Sequence, residues 1–102
     1  MTFDIEYELD TYRGRLYFLR ANAEPGQEDP EEFAVIVYYN STDERIEIAK
    51  VDNAHGYTHF HKYYRRGEPE EEVDWGFWDA VRELSENDNW KRWAEEHDKK
   101  NE

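Results

Sequence analysis

The sequence predicts an α+β fold, in which one antiparallel sheet of four or five strands, connected as a meander, packs against a C-terminal helix and a short terminal helix. Up to residue 64, short segments rich in β-branched and aromatic residues alternate with turn residues, which is typical of paired strands. After residue 74 the apolar residues recur with the spacing of a helix. We therefore expect the helices to follow the sheet in the chain and to pack on one of its faces.

Four of the predicted strands are rich in β-branched and aromatic residues and are bounded by turn residues. They are residues 15–20, 33–39, 45–51 and 57–64. Residues 3–9 alternate between apolar and polar side chains and predict a fifth strand, joined to the next strand by a turn at residues 10–12. Residues 40–43 and 52–56 contain the Asn, Asp, Ser and Gly residues that are typical of hairpin connections.

The helical region begins after Asp74, which we expect to be the N-cap. Phe77, Val81 and Leu84 recur at helical spacing and predict one apolar helix face. The Asn and Asp residues at 87–89 predict a break, followed by a second short helix over residues 89–97 and a frayed tail over residues 97–102.

Two tryptophans on the second predicted helix have two interpretations. Trp90 and Trp93 either close over the sheet as part of the core, or stay exposed and anchor another protein or a second copy of the chain. Core packing is the expectation we favour, because the chain is poor in aliphatic residues and needs its rings inside.

The composition fits a single small domain, residues 1–102, with a core made largely of aromatic rings. The 4 Trp, 8 Tyr and 5 Phe residues outnumber the valines, isoleucines and leucines together. The absence of cysteine excludes disulfides, thiolate metal ligands and a thiol nucleophile. No apolar run approaches the about 18 residues of a membrane span, and the N-terminus does not resemble a signal peptide, so we expect a soluble, cytoplasmic protein.

Acidic residues outnumber basic residues two to one, since 26 Asp and Glu against 13 Lys and Arg give a formal net charge of −13. Such an excess resembles proteins adapted to high intracellular salt, as in haloarchaea, so we expect a halophilic, archaeal protein. The alternative is an ordinary acidic protein or a nucleic-acid mimic. The acids are concentrated in residues 24–32 and 68–74, which we expect to be solvated loops, whereas residues 45–66 are locally basic.

Three of the four histidines lie within residues 55–61, directly after Asp52 and Asn53. On a strand, His59 and His61 point to the same face, about 6.5 to 7 Å apart, and Phe60 points to the other. Three interpretations compete for this cluster. The first is a divalent metal site, and its expected ligands are Asp52, His55, His59 and His61.

The second interpretation is metal-free acid–base cleavage of RNA. One histidine would take the proton of a 2′-hydroxyl group and the other would protonate the leaving 5′-oxygen, because an imidazole with a pKa of about 6.5 supplies both forms near neutral pH. Tyr57 and Tyr63 would stack on a base or orient an imidazole. Lys62 alternates to the opposite face, so Arg65 is the expected phosphate contact. The third interpretation is that the two strand histidines are merely exposed on the sheet.

Two blocks of the sequence resemble the TumE family of toxin–antitoxin toxins. The first block is Asp52-Asn53, then His55-Gly56, then His59-Phe60-His61, and the second is the helix Phe77-Trp78-Asp79-Ala80-Val81 after an acidic linker. The resemblance covers about residues 13–86. It implies a toxin that acts on RNA and is neutralised by a helix-turn-helix antitoxin encoded beside it. It also places Asp52, Asn53, His59 and His61 in the shared motif.

The sequence hypothesis is therefore an RNA-cleaving toxin without a cofactor, in which His59 and His61 form the acid–base pair, Asp52 orients one imidazole and Asn53 holds the turn that presents them. The other expected substrate contacts are His55, Tyr57, Tyr63 and Arg65. The antitoxin or a second copy would dock at the two tryptophans if they are exposed. The alternatives are a non-catalytic acidic module that binds a basic or DNA-binding protein, and a His/Asp metal-dependent hydrolase.

Overall fold

A computed structural model of the chain describes residues 2–26, 30–53, 56–65, 67, 70–86 and 88–100. These residues form an α+β fold, in which an open antiparallel sheet of six strands, each paired with its neighbour in the chain, is followed by two helices. The strands are β1 Phe3–Tyr12, β2 Arg15–Glu24, β3 Glu32–Asn40, β4 Arg45–Asp52, β5 His59–His61 and β6 Glu70–Glu72. The helices are α1 Phe77–Ser85 and α2 Asn89–Lys100. The predicted fold class and meander are confirmed, with one strand more than expected.

The core lies between one face of the sheet and the two helices. Alternate residues of the central strands, such as Leu19, Val35 and Val51, are fully buried and pack in one cluster with apolar residues of α1 and α2. Aromatic rings fill much of this layer, and Trp90 lies 5.1 Å from the Tyr17 ring. The opposite face of the sheet carries no helix of the described chain, and we call it the open face.

The first hairpin turns at Arg13 and Gly14, not at residues 10–12 as predicted. Both residues have positive φ, 54° and 81°, which is the conformation of the two-residue loop that matches the twist of paired strands. Glycine adopts this conformation without strain. A bulge between Glu8 and Asp10 shifts the register, and the pairing of β1 with β2 continues to Tyr12.

The region after residue 52 departs furthest from the sequence prediction. The strand predicted over residues 57–64 is reduced to the three residues of β5. Part of the segment predicted as an acidic loop, residues 68–74, instead forms β6, which pairs with β5 through His59↔Glu72 and His61↔Glu70. Glu71 of this strand lies 2.6 Å from the ammonium group of Lys62. The acidic strand therefore lies beside a lysine and two histidines of the neighbouring segment.

The helix boundaries also differ from those predicted. The N-cap of α1 is Gly76 rather than Asp74, and its N–H donates to the Asp79 carboxylate at 3.0 Å. This hydrogen bond and the Arg82 guanidinium lower the pKa of Asp79. The tail does not fray from residue 97, because α2 continues to Lys100 and Asp98 pairs with Arg15 at 2.6 Å. Residues 101–102 lie outside the described residues.

The described helices include none that is both long and apolar enough to cross a membrane.

We expect Leu84→Ala to lower the free energy of unfolding by about 2 to 5 kcal/mol, because Leu84 is fully buried between α1 and the sheet and its truncation leaves a cavity. Urea unfolding at neutral pH measures this change. Glu83→Ala is the matched control, since Glu83 is the exposed neighbour on the same helix. Equal unfolding curves for the two variants would contradict the packing of α1.

A second expectation concerns pH. Burial lowers the pKa of His97 below its ordinary 6.5. The unfolded chain therefore binds more protons at this residue, so the free energy of unfolding falls as the pH drops below about 6.5. We expect the wild type to lose more stability than His97→Gln between about pH 7.5 and about pH 5.5, as measured by urea unfolding. A larger loss in the variant would show that His97 is not buried in its neutral form.

Candidate histidine site

The candidate site lies on the open face where β4, β5 and β6 meet. Register places Lys50 opposite His61 and Asp52 opposite His59, while Val51 and Phe60 between them are buried in the core. Since side chains alternate across a strand, both histidines share one face with Asp52. This placement agrees with the alternation read from the sequence.

His61 lies between two carboxylates. Its Nε2 is 3.2 Å from Asp52 Oδ2, and its Nδ1 is 3.6 Å from Glu70 Oε2. The two ring nitrogens of His61 therefore face carboxylates that come from different strands, β4 and β6. The His61 side chain is 21% exposed, which lets it meet a ligand from solution.

His59 lies deeper in the same site. It is buried, its Nδ1 pairs with Glu70 Oε1, and the ring of Tyr57 covers it at a centroid distance of 3.9 Å. The His59 and His61 rings are stacked 5.7 Å apart, and Tyr63 stacks on His61 at 5.6 Å. These four rings form a continuous row along the chain, in the order Tyr57, His59, His61 and Tyr63, which we call the ring row. Each of its two histidines contacts a carboxylate.

Two charged residues of the site escaped the sequence analysis. Lys50 Nζ lies 3.6 Å from Asp52 Oδ2, and Glu70 contacts both histidines. The predicted strand ends at residue 51 and leaves Asp52 in the following turn, whereas β4 continues to Asp52 and so places Lys50 and Asp52 on the same face. The position of Glu70 could not be predicted, since it depends on the pairing of β6 with β5.

Arg65, the expected phosphate contact, is paired with other parts of the chain, and this geometry gives that assignment no support. Its Nε donates to Glu96 of α2 at 3.0 Å, and its guanidinium lies 5.4 Å from the Tyr64 ring. The residue leaves the strand after β5 and turns toward the helices. Lys62 is also on the core side, as predicted, where it pairs with Glu71. Lys50, which register places opposite His61, is therefore the cation that shares a carboxylate, Asp52, with a site histidine.

The Asn53 side chain bonds to the protein backbone and holds the end of β4 in place. Its side-chain oxygen accepts a hydrogen bond from Phe33 N–H at 2.9 Å, and its amide donates to the Glu31 carbonyl at 3.1 Å. These contacts tie the segment before β5 to the start of β3. His55, the remaining expected contact and metal ligand, lies outside the described residues.

A cavity of about 270 Å³ lies beside the site. Asn22, Lys50, Asp52 and Asn53 are among its lining residues. Asp52 connects the two regions, because it lines this cavity and also contacts His61.

Within the described chain, no group of three or more His, Asp or Glu residues is arranged to hold a metal ion. Each histidine instead contacts a carboxylate directly, so the charges in the site are matched between protein groups. The metal interpretation thus gains no support from Asp52, His59 and His61 in this arrangement.

The two tryptophans of α2 belong to the aromatic packing. Trp90 is buried against Tyr17, and Trp93 stacks on Tyr64 at 5.5 Å and lies 5.3 Å from Phe60. This burial supports the core interpretation and not the exposed anchor. Trp78 of α1 is the tryptophan that the described chain exposes most, at 47%.

The fold and the site together define a class of small sheet proteins, in which helices cover one face of an open antiparallel sheet and a histidine–carboxylate group occupies the other. The chain belongs to the DUF7718 family, a domain of unknown function, whose profile matches residues 4–102. Comparison with curated proteins and with solved structures gave no match. The family description states no activity, so the function has to be argued from the site.

We expect Asn53→Ala to lower the free energy of unfolding by about 1 to 3 kcal/mol, because two backbone groups at the start of β3 lose their partner. Thermal or urea unfolding checks this value. Asn40→Ala, an exposed asparagine at the end of β3, is the control and should change stability little. An Asn53 variant as stable as the control would remove its positioning role.

Proposed function

We propose that the chain is a small endoribonuclease that cleaves RNA by proton transfer at His59 and His61, and that it is the toxin of a type II toxin–antitoxin pair. The observation that carries the proposal is the stacked pair of imidazoles, 5.7 Å apart, each paired with its own carboxylate oxygen. In this proposal Asp52 and Glu70 orient the two rings.

The reaction needs one proton acceptor and one proton donor. The 2′-hydroxyl loses its proton to the base, and its oxygen attacks the adjacent phosphorus atom. The bond from phosphorus to the 5′-oxygen breaks, and that oxygen takes a proton from the acid. The products are a 2′,3′-cyclic phosphate and a 5′-hydroxyl, with no redox change and no metal required.

We base the proposed roles on the difference in exposure between the two rings. His61 is the more exposed ring and can reach the leaving oxygen from solution, so it is the proposed acid. His59 is the proposed base, and RNA reaches it only when the ring of Tyr57 moves aside. Tyr57 is 48% exposed and can stack on a base as it does so. Lys50 takes the role of phosphate contact that the sequence analysis gave to Arg65.

The acidic surface places a condition on this activity. At low salt, a net charge of −13 repels RNA. At the high salt of a haloarchaeal cytoplasm, which we propose as the setting, this repulsion is screened and base stacking supplies more of the affinity. A helix-turn-helix antitoxin encoded nearby is the proposed partner that controls the toxin.

A second candidate function is a non-catalytic module that binds a basic protein. The charge favours it, because every residue of β6 is an exposed glutamate and the net charge is strongly negative. Such a module would use the open face without moving a proton, and its histidines would serve only to match the surrounding carboxylates.

The deciding experiment incubates the purified chain with a labelled single-stranded RNA and with the all-deoxy strand of the same sequence, at low and at molar KCl. We expect cleavage of the RNA alone, ending in a 2′,3′-cyclic phosphate. His59→Ala and His61→Ala should each lower the rate by about 100-fold or more. Lys62→Ala is the matched control, because Lys62 adjoins the site in sequence but lies on the opposite face.

The other outcomes separate the alternatives. Loss of cleavage in the presence of a chelator would indicate a metal-dependent hydrolase that includes His55. An intact RNA at both salt concentrations, with circular dichroism showing a folded chain, would refute the nuclease and favour the binding module. For the toxin role, induced expression in a salt-adapted host should arrest growth with the wild type and not with the double histidine variant.

A further inference from the structure

The outer edge of β1 is a long stretch of backbone at the end of the sheet. β1 is the first strand in the sheet order, so one edge pairs with β2 and no other described strand pairs with the opposite edge. Pairing with β2 is regular from Phe3 to Glu8, before the bulge. Such an edge presents N–H and C=O groups to which a further strand can bind.

The side chains along this edge alternate between two kinds. Phe3, Ile5 and Tyr7 face the helix side, opposite buried residues of β2. Tyr7 is 39% exposed, and Trp78, 47% exposed, lies 5.9 Å from the Phe3 ring. Two of the large exposed hydrophobic residues of the described chain thus lie beside β1.

The open-face side of the same edge carries three acids from Phe3 to Glu8, which are Asp4, Glu6 and Glu8. Arg20 of β2 pairs with Asp4 at 2.9 Å and Tyr38 donates to Glu6, so the acids outnumber the cation beside them by three to one. A second copy of β1, paired antiparallel, would place these acids opposite one another, which is destabilising. A strand with Lys or Arg on that face would instead form favourable cross-strand pairs. The charge pattern therefore selects against self-pairing and for a basic partner.

We propose that the edge of β1 from Phe3 to Glu8 is a docking site for an extended segment of a protein partner, in which basic and apolar residues alternate. The segment adds a strand to the sheet. Its basic side chains lie over Asp4, Glu6 and Glu8, and its apolar side chains cover Tyr7 and Trp78. The proposal does not depend on RNA cleavage, because this edge is at the other end of the sheet from the histidines.

The test uses a fluorescein-labelled peptide of alternating Lys and Val as the probe. Fluorescence anisotropy compares it with a peptide of the same composition in which the lysines are grouped at one end. We expect the alternating peptide alone to bind, and backbone amides between residues 3 and 8 to gain protection from hydrogen exchange. Glu8→Lys should weaken binding by about fivefold or more, since it replaces an attractive cross-strand pair by a repulsive one.

Glu83→Lys is the matched control, because it makes the same change of net charge at an exposed position of α1. Equal weakening by Glu8→Lys and Glu83→Lys, or equal binding of the two peptides, would show a general charge effect and overturn the proposal. A chain that sediments as a dimer in the wild type and as a monomer in Tyr7→Ser would assign the edge to a second copy, which also overturns it. The measurement contains no RNA, so its outcome is separate from that of the nuclease assay.

Discussion

The burial of Phe60 determines which face of the sheet carries His59 and His61. Its ring is held among Trp75 at 5.6 Å, Trp93 at 5.3 Å and Tyr64 at 6.4 Å, which come from three different parts of the chain. Because strand side chains alternate, a buried Phe60 sends both neighbouring histidines to the open face. A shift of β5 by one residue would turn both imidazoles toward the apolar core and Phe60 to the open face, so the apolar contacts of one side chain fix the register of the whole site.

The pairing of β5 with β6 brings acidic residues of the surface into the histidine site. The glutamates of β6 belong to the acid excess of the sequence, yet Glu70 pairs with both histidines and Glu71 pairs with Lys62. Three adjacent glutamates would repel one another on an isolated strand. Here Glu70 meets the two imidazoles on one face and Glu71 meets an ammonium group on the other, so β5 and the residue after it supply groups that match the acids of β6.

Sequence reasoning succeeded where the pattern was local and failed where the structure depends on distant partners. The run from Phe33 to Tyr39 and the spacing of Phe77, Val81 and Leu84 predict a strand and a helix from period alone, and both are confirmed. By contrast, β6 exists only through its pairing with β5, and the direction of Arg65 follows from its contact with Glu96, 31 residues later in the chain. The face shared by His59 and His61 was predictable, but their carboxylate partner Glu70 was not.

High salt has different effects on the interactions at the two ends of the sheet, the histidine site and the β1 edge. In molar salt the Debye length shrinks to about 3 Å, so charges that are not in direct contact are screened. The histidine–carboxylate contacts of the site are short and partly buried, which protects them from screening. At the β1 edge, salt weakens the attraction between exposed acids and a basic segment, but leaves backbone hydrogen bonds and the apolar contacts of Tyr7 and Trp78. A partner that still binds this edge in molar salt is therefore held by backbone hydrogen bonds and apolar contacts, because the attraction between charges is screened.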